Sequence, residues 1–76
     1  MHHTLARIDS KHYDYKFCKD CGTINWYENK VCQGCGGFRF YKNGKKVYKW
    51  VVEEYDYLLN DRGYTFKEAM DKETDV

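Results

Sequence analysis

Residues 18–35 read Cys18-Lys19-Asp20-Cys21-Gly22-Thr23-Ile24-Asn25-Trp26-Tyr27-Glu28-Asn29-Lys30-Val31-Cys32-Gln33-Gly34-Cys35 and hold every cysteine of the chain, spaced C-x2-C-x10-C-x2-C. Two residues between paired cysteines let one tight turn bring both sulfurs to a single ion. Two such turns supply four thiolates at tetrahedral positions, which suits Zn²⁺ and closes its coordination shell. Glycine follows each pair, at Gly22 and at Gly36-Gly37, where reversal of the chain calls for backbone freedom. Cys18, Cys21, Cys32 and Cys35 are therefore the expected ligands of one zinc ion per chain, with iron the minor alternative that four thiolates also accept.

A redox reading of either Cys-x-x-Cys needs a reactive thiol at a helix N-terminus on a strand–helix scaffold. The ten residues between these pairs leave hardly any room for such a helix. A closed four-thiolate site also has no open position at which to activate water. No Ser/His/Asp arrangement, paired-carboxylate motif or phosphate-binding glycine loop is recognisable, so the sequence points away from an enzyme. His2, His3 and His12 lie outside the ligand spacing and read as solvated residues.

The chain has 76 residues, enough for one small domain. A domain of this size buries only roughly 60% of the surface its unfolded chain exposes, and such chains commonly rely on a metal or disulfides. Cysteines clustered over so short a stretch, with no signal-peptide run in residues 1–9 and no apolar span of about 18 residues, read as an intracellular protein (cytoplasm, or nucleus in a eukaryote) that is not secreted. Charge is split along the chain. Residues 1–49 carry ten Lys and Arg against four Asp and Glu, a balance of +6, whereas residues 50–76 carry three against eight, a balance of −5. A basic working end and an acidic tail are one meaning of this. The other is that Lys16, Lys19 and Lys30 offset the charge of −2 on a zinc ion held by four thiolates.

The expected fold class is a small metal-stabilised α+β domain: a zinc ribbon with a β-hairpin, followed by one or two short C-terminal helices. Residues 1–15 show little periodicity and read as a flexible N-terminal arm. Residues 16–63 form the ribbon, hairpin and helix as one domain, and residues 64–76 a short helix with a frayed acidic tail. The hairpin is read in Phe38-Arg39-Phe40-Tyr41-Lys42-Asn43-Gly44-Lys45-Lys46-Val47-Tyr48-Lys49-Trp50, where Asn-Gly separates two aromatic runs. A two-residue Asn43-Gly44 loop would leave a charge on the apolar face. A three-residue Lys42-Asn43-Gly44 loop with Gly44 left-handed at a bulge instead places Phe38, Phe40, Tyr48 and Trp50 on one face as core. Beyond it, Val51, Tyr55, Leu58 and Leu59 recur at helical spacing, Gly63 supplies a stop, and Thr65-Phe66-Lys67-Glu68 fits a capping box.

Cys21-x3-Asn25-x6-Cys32-x2-Cys35, with Trp26 after the asparagine, resembles the Ran-binding-protein type of zinc finger over roughly a quarter of the chain. The resemblance implies two short hairpins sandwiching zinc, and binding to single-stranded RNA or to ubiquitin. The family's recognition residues are not matched. Glu28 and Asn29 stand where its RNA readers carry arginines, Gly22-Thr23 where its ubiquitin binders carry Thr-Phe, and Phe17 is the nearest substitute for the usual tryptophan before the first cysteine.

Two functions follow. The first is a nucleic-acid-binding module for single-stranded RNA or DNA, or a component of the transcription or translation machinery, because such binding combines aromatic platforms with basic side chains. Asn25, Trp26, Tyr27 and Lys30 between the zinc turns would form one contact surface. Arg39, Tyr41 and Lys49 on the hairpin, with Lys42, Lys45 and Lys46 at its turn, would form the other. The alternative is a protein–protein interaction adaptor that docks through the aromatic hairpin and the acidic amphipathic helix around Glu53–Asp56, with Tyr55, Tyr57, Leu58 and Leu59. No membrane and no small-molecule substrate is implied.

Overall fold

A computed structural model describes all residues from Met1 to Val76. The elements in order are β1 (His2–Thr4), α1 (Leu5–Ser10), a single 3₁₀ turn (His12–Asp14), β2 (Tyr15–Cys18), β3 (Ile24–Trp26), β4 (Phe40–Tyr41), α2 (Gly44–Asp56) running on into a π-helical turn (Tyr57–Asp61), α3 (Phe66–Met70) and β5 (Glu73–Asp75). They make a small α+β fold with two antiparallel sheets, one of order β3-β2-β4 and one pairing β1 with β5. No helix is long and apolar enough to cross a membrane.

The three-stranded sheet separates two environments. Tyr15 pairs with Trp26, and Phe17 pairs with Ile24 on one side and Tyr41 on the other, so these residues share a face. That inner face meets Leu5 and Ile8 of α1, Val47 and Val51 of α2, Leu58, Ala69 and Val76 in one core. The alternate positions Lys16, Cys18, Asn25 and Phe40 point the other way, and Lys42 follows Phe40 in the same parity. The loop after β3 and the second cysteine turn cover part of this outer face, so Lys16, Cys18 and Asn25 are buried there.

The aromatic run does not form the expected hairpin. Phe40 and Tyr41 pair back onto β2 as an edge strand, and the chain enters a helix at Gly44. Asn43 is the reason locally: its side chain accepts hydrogen bonds from the backbone N–H of Lys45 and Lys46, which caps the helix. Gly44 takes no left-handed conformation; it is buried beneath Tyr13, whose ring stands 2.5 Å from where a Cβ would be. The tertiary reason is a stripe at Gly44, Val47, Val51 and Leu58 that buries one helical face. In consequence Phe38, placed in the core by strand alternation, is 78% exposed, and Tyr48 is 53% exposed. Phe40 and Trp50 are half-buried.

The helical face of Val51, Tyr55, Leu58 and Leu59 does turn inward, with Val51 and Leu58 buried and the other two packed against the core. That contact consumes much of the surface expected to dock a partner. Gly63 has φ +68 and ends the helical segment, while Tyr64 N–H bonds back to the Leu58 carbonyl at 2.9 Å. Thr65 and Glu68 form the capping box.

The two ends of the chain, read as an arm and a frayed tail, are built into the fold by pairing with each other. His2, His3 and Thr4 oppose Asp75, Thr74 and Glu73, and Val76 is 2% exposed. Thr4 caps α1 by accepting from Arg7 N–H, and Leu5 and Ile8 bring one face of that helix into the core. His3, read as solvated, is buried, and its Nδ1 meets the Tyr15 hydroxyl at 2.7 Å. Burial, and then the charge of Arg7, lowers its pKa, which favours the neutral form of the ring. His12 is half-buried against Asp9 and the Tyr48 ring.

Because Asn43 caps a helix rather than turning a hairpin, Asn43→Ala will lower stability by about 1 kcal/mol, and Asn43→Asp will leave it nearly unchanged. Chemical denaturation of the metal-loaded protein checks both.

Candidate metal centre

Each cysteine pair sits in a turn closed by the same set of bonds. In the first, Gly22 N–H reaches the Cys18 carbonyl at 2.9 Å and Cys18 N–H reaches the Thr23 carbonyl at 3.0 Å. In the second, Gly36 N–H reaches the Cys32 carbonyl at 2.9 Å and Cys32 N–H the Gly37 carbonyl at 2.6 Å. Gly22 and Gly36 have φ of +74 and +75, the left-handed conformation that each turn requires. The backbone also addresses the sulfurs, with Asp20 N–H 3.4 Å from Cys18 Sγ and Gly34 N–H 3.3 Å from Cys32 Sγ. Two copies of one turn thus face each other.

The four Sγ atoms lie within 4.8 Å of one another. Cys21 and Cys32 sulfurs are 3.5 Å apart and those of Cys18 and Cys35 are 3.6 Å apart, so the closest pairs bridge the two turns. A tetrahedral ion with metal–sulfur bonds of about 2.3 Å separates its ligands by about 3.8 Å, and the two bridging pairs stand slightly inside that separation. Cys18 and Cys32 are buried and Cys21 and Cys35 exposed, and all four are free thiols.

Electrostatics favour a cation here. Burial opposes ionisation of Cys32, but hydrogen bonds from Cys35 N–H, the Asn25 amide and Gly34 N–H outweigh it and bring the thiol down to about 6. At Cys35 the Gly37 N–H acts in the same lowering direction, yet the neighbouring Cys21 and Cys18 sulfurs push that thiol up to about 12. One thiolate forms readily and the last resists, as expected for like charges crowded together. A divalent ion at the centre removes the repulsion and lets all four ionise.

Asn25 is the residue that ties the turns together. It is 0% exposed. Its Nδ2 donates to Cys32 Sγ at 3.4 Å and to the Thr23 carbonyl at 3.1 Å. Its Oδ1 accepts from Gln33 N–H at 2.9 Å and from Asn29 Nδ2 at 3.1 Å. Expected as a contact to nucleic acid or a partner, Asn25 is instead enclosed, and its hydrogen bonds are spent on the turns.

The remaining expected contact residues do not form the two surfaces read in the sequence. Trp26 lies on the inner face, half-buried, with its ring edge-on to His3 at 5.0 Å and to Tyr15 at 5.6 Å and the Arg7 guanidinium above it. Tyr41 packs inward on Phe17. Arg39 pairs with Asp20 beside the cysteines. Lys45, Lys46 and Lys49 ride on α2. Tyr27, Lys30 and Lys42 are exposed.

The structure assembles a different group on the outer face. Lys16 is only 8% exposed. Its Nζ donates to the Asn29 carbonyl and lies 3.9 Å from the centre of the Phe40 ring. Lys42 Nζ lies 5.6 Å from the centre of the Tyr27 ring. Burial, then the nearby charge of Lys42, lowers the Lys16 pKa. Neither ammonium has a carboxylate partner, since the ion pairs are those of the N-terminus with Asp75, His12 with Asp9, and Arg39 with Asp20. Lys16 and Phe40 did not figure among the expected contacts. Only the register Cys18↔Phe40 brings residues so far apart in sequence together.

Compared with protein families, with curated proteins and with solved structures, the chain matches none. What places it in a class is the site itself: a small α+β domain whose four cysteines are positioned to hold a metal ion. The likeness to the Ran-binding-protein finger rests on the cysteine spacing and Asn25.

Since Asn25 orients a ligand from outside the coordination shell, Asn25→Ala will weaken metal affinity roughly 10- to 100-fold. Affinity will also fall as pH is lowered, because protons compete for the thiolates. Competition with a chromophoric chelator measures both.

Proposed function

We propose that this chain is a non-enzymatic zinc-binding module of a reducing compartment that binds single-stranded nucleic acid on the outer face of its three-stranded sheet. The observation that carries the reading is the pair of lysines without a carboxylate partner, Lys16 and Lys42, set against the rings of Phe40 and Tyr27. Single-strand binders combine these two elements, rings for bases and cations for the backbone. Lys16 is too enclosed to grip a phosphate. It acts from beneath, adding positive potential that a phosphate at Lys42 relieves.

Zinc is the metal because the donors are four thiolates at tetrahedral separation, and its part is to hold the turns that set the sheet. A second reading, docking onto a protein, draws on Tyr48 and Val52, one turn apart on α2 and both about half exposed. It lacks the charge argument.

Native mass spectrometry will show one zinc ion per chain; a metal-free native protein would sink the zinc assignment. Oligonucleotide binding will weaken steeply with salt, and Lys42→Ala will flatten the log–log slope by about 0.7. Tyr27→Ala will weaken binding roughly 5- to 100-fold through lost stacking. Absence of binding to single-stranded RNA and DNA at low salt would overturn the nucleic-acid reading in favour of the protein partner.

A further inference from the structure

Strand β4 is the edge of its sheet, and its two residues face opposite ways: Phe40 toward the outer platform, Tyr41 toward α2. On the Tyr41 side a shallow, open cleft of about 240 Å³ lies between the sheet and the helix. Phe17, Tyr41 and Trp50 give it aromatic walls, and Lys46, Lys49 and Glu53 stand at its rim. Lys46 is held in place, its Nζ 3.1 Å from the Tyr41 hydroxyl and 5.2 Å from the centre of that ring. Lys49 lies one helical turn on, at the i+3 position that shares its face. Neither lysine is in an ion pair.

We propose that this cleft takes one nucleotide of the bound strand, so that the nucleic-acid path wraps the β4 edge from the outer platform into it. The inference rests on the nucleic-acid reading above and adds a second subsite to it. The chemistry divides along the cleft. The aromatic walls accept a base, whose π-face is common to all nucleotides. Lys46 and Lys49 meet its phosphate as a pair of point charges. Glu53 lowers the rim to a balance of +1; it repels a second phosphate and offers an acceptor to the exocyclic amino group of the base. A purely anionic polypeptide would satisfy the lysines but has no planar ring to stack on the aromatic residues, which favours the nucleotide.

The test is a titration of the zinc-loaded protein with hexacytidylate across a salt series, following the indole N–H resonance of Trp50 alongside overall affinity. The expected result is a shift of the Trp50 resonance on binding, and about tenfold weaker binding by the Lys46→Ala/Lys49→Ala variant with a salt slope flatter by about 1.4. Tyr27→Ala will weaken binding while the Trp50 shift at saturation persists. Should the double-lysine variant bind with unchanged affinity and slope while Tyr27→Ala is weakened, the cleft is no subsite and the outer platform stands alone. Should hexacytidylate fail to bind the unaltered protein at low salt, both readings fall. A Trp50 shift produced by a hexaglutamate peptide and not by hexacytidylate would overturn the proposal and assign the cleft to an acidic polypeptide.

Discussion

Four sulfurs must converge on one point, and nearly everything distinctive in this fold can be traced to that constraint. Each cysteine turn needs its left-handed glycine and its N–H···S bond, and the two turns need a tie between them. Asn25 is that tie. Placed on β3 directly after the first turn, it reaches across to Cys32 Sγ and Gln33 N–H in the second. The ties continue outward: Asn29 Nδ2, bonded to Asn25, also donates to the Val76 carbonyl, and Gln33 Nε2 to that of Asp75. A continuous set of hydrogen bonds therefore runs from the metal ligands to the sheet formed by the two ends of the chain. With 16 of 76 residues buried, the core is small, and order in those ends depends on the centre as well as on Leu5, Ile8 and Val76.

The four-cysteine cluster, the turns at Gly22 and Gly36, the stop at Gly63 and the capping box at Thr65 were all legible in the sequence. Each is local: a few residues at fixed spacing carry both the signal and the interaction. Asn43-Gly44 shows where local reading stops. Asparagine before glycine is favoured in a type I′ hairpin turn and equally at a helix N-cap, since in either role a short polar side chain satisfies nearby backbone. The choice is made by what lies downstream. Val47 and Val51 are four apart, and Leu58 continues their face; as a helix these residues share one core, and as a strand Val47 would face away from Tyr48 and Trp50. The stripe was present in the sequence at 47, 51, 55 and 58, but the aromatic alternation from Phe38 to Trp50 masked its first turn.

The ends of the chain were illegible for a different reason. Three-residue strands such as β1 and β5 carry too little alternation to be seen alone, and their pairing joins residues at opposite ends of the sequence. The outer platform was hidden by the same kind of distance. Lys16 precedes the first cysteine and Phe40 follows the last, and no spacing rule connects them. Only closure of the cysteine turns lays β4 beside β2 and sets the ammonium over the ring.

That closure also resolves the charge split. Read linearly, an acidic second half repels nucleic acid and argues for a protein partner or for self-masking. In three dimensions α2, the π-helical turn and α3, which carry most of that acid, pack against the inner face of the sheet through Val51, Leu58 and Ala69. The outer face keeps Lys16 and Lys42 without a carboxylate partner. Most of that acid thus sits on helices behind the sheet rather than paired with Lys16 or Lys42, although α2 itself also carries Lys45, Lys46 and Lys49. Screening over about 8 Å at physiological salt further separates that acid from Lys16 and Lys42. Under the proposed function, such an arrangement would orient an anionic strand, favouring approach to the sheet over approach from the helical side. At the β4 edge Lys46 and Lys49 stand ahead of Glu53 on a single helix. On the proposed path, a strand that passed this edge would meet Glu53 there, and that carboxylate would limit how far the anionic path extends.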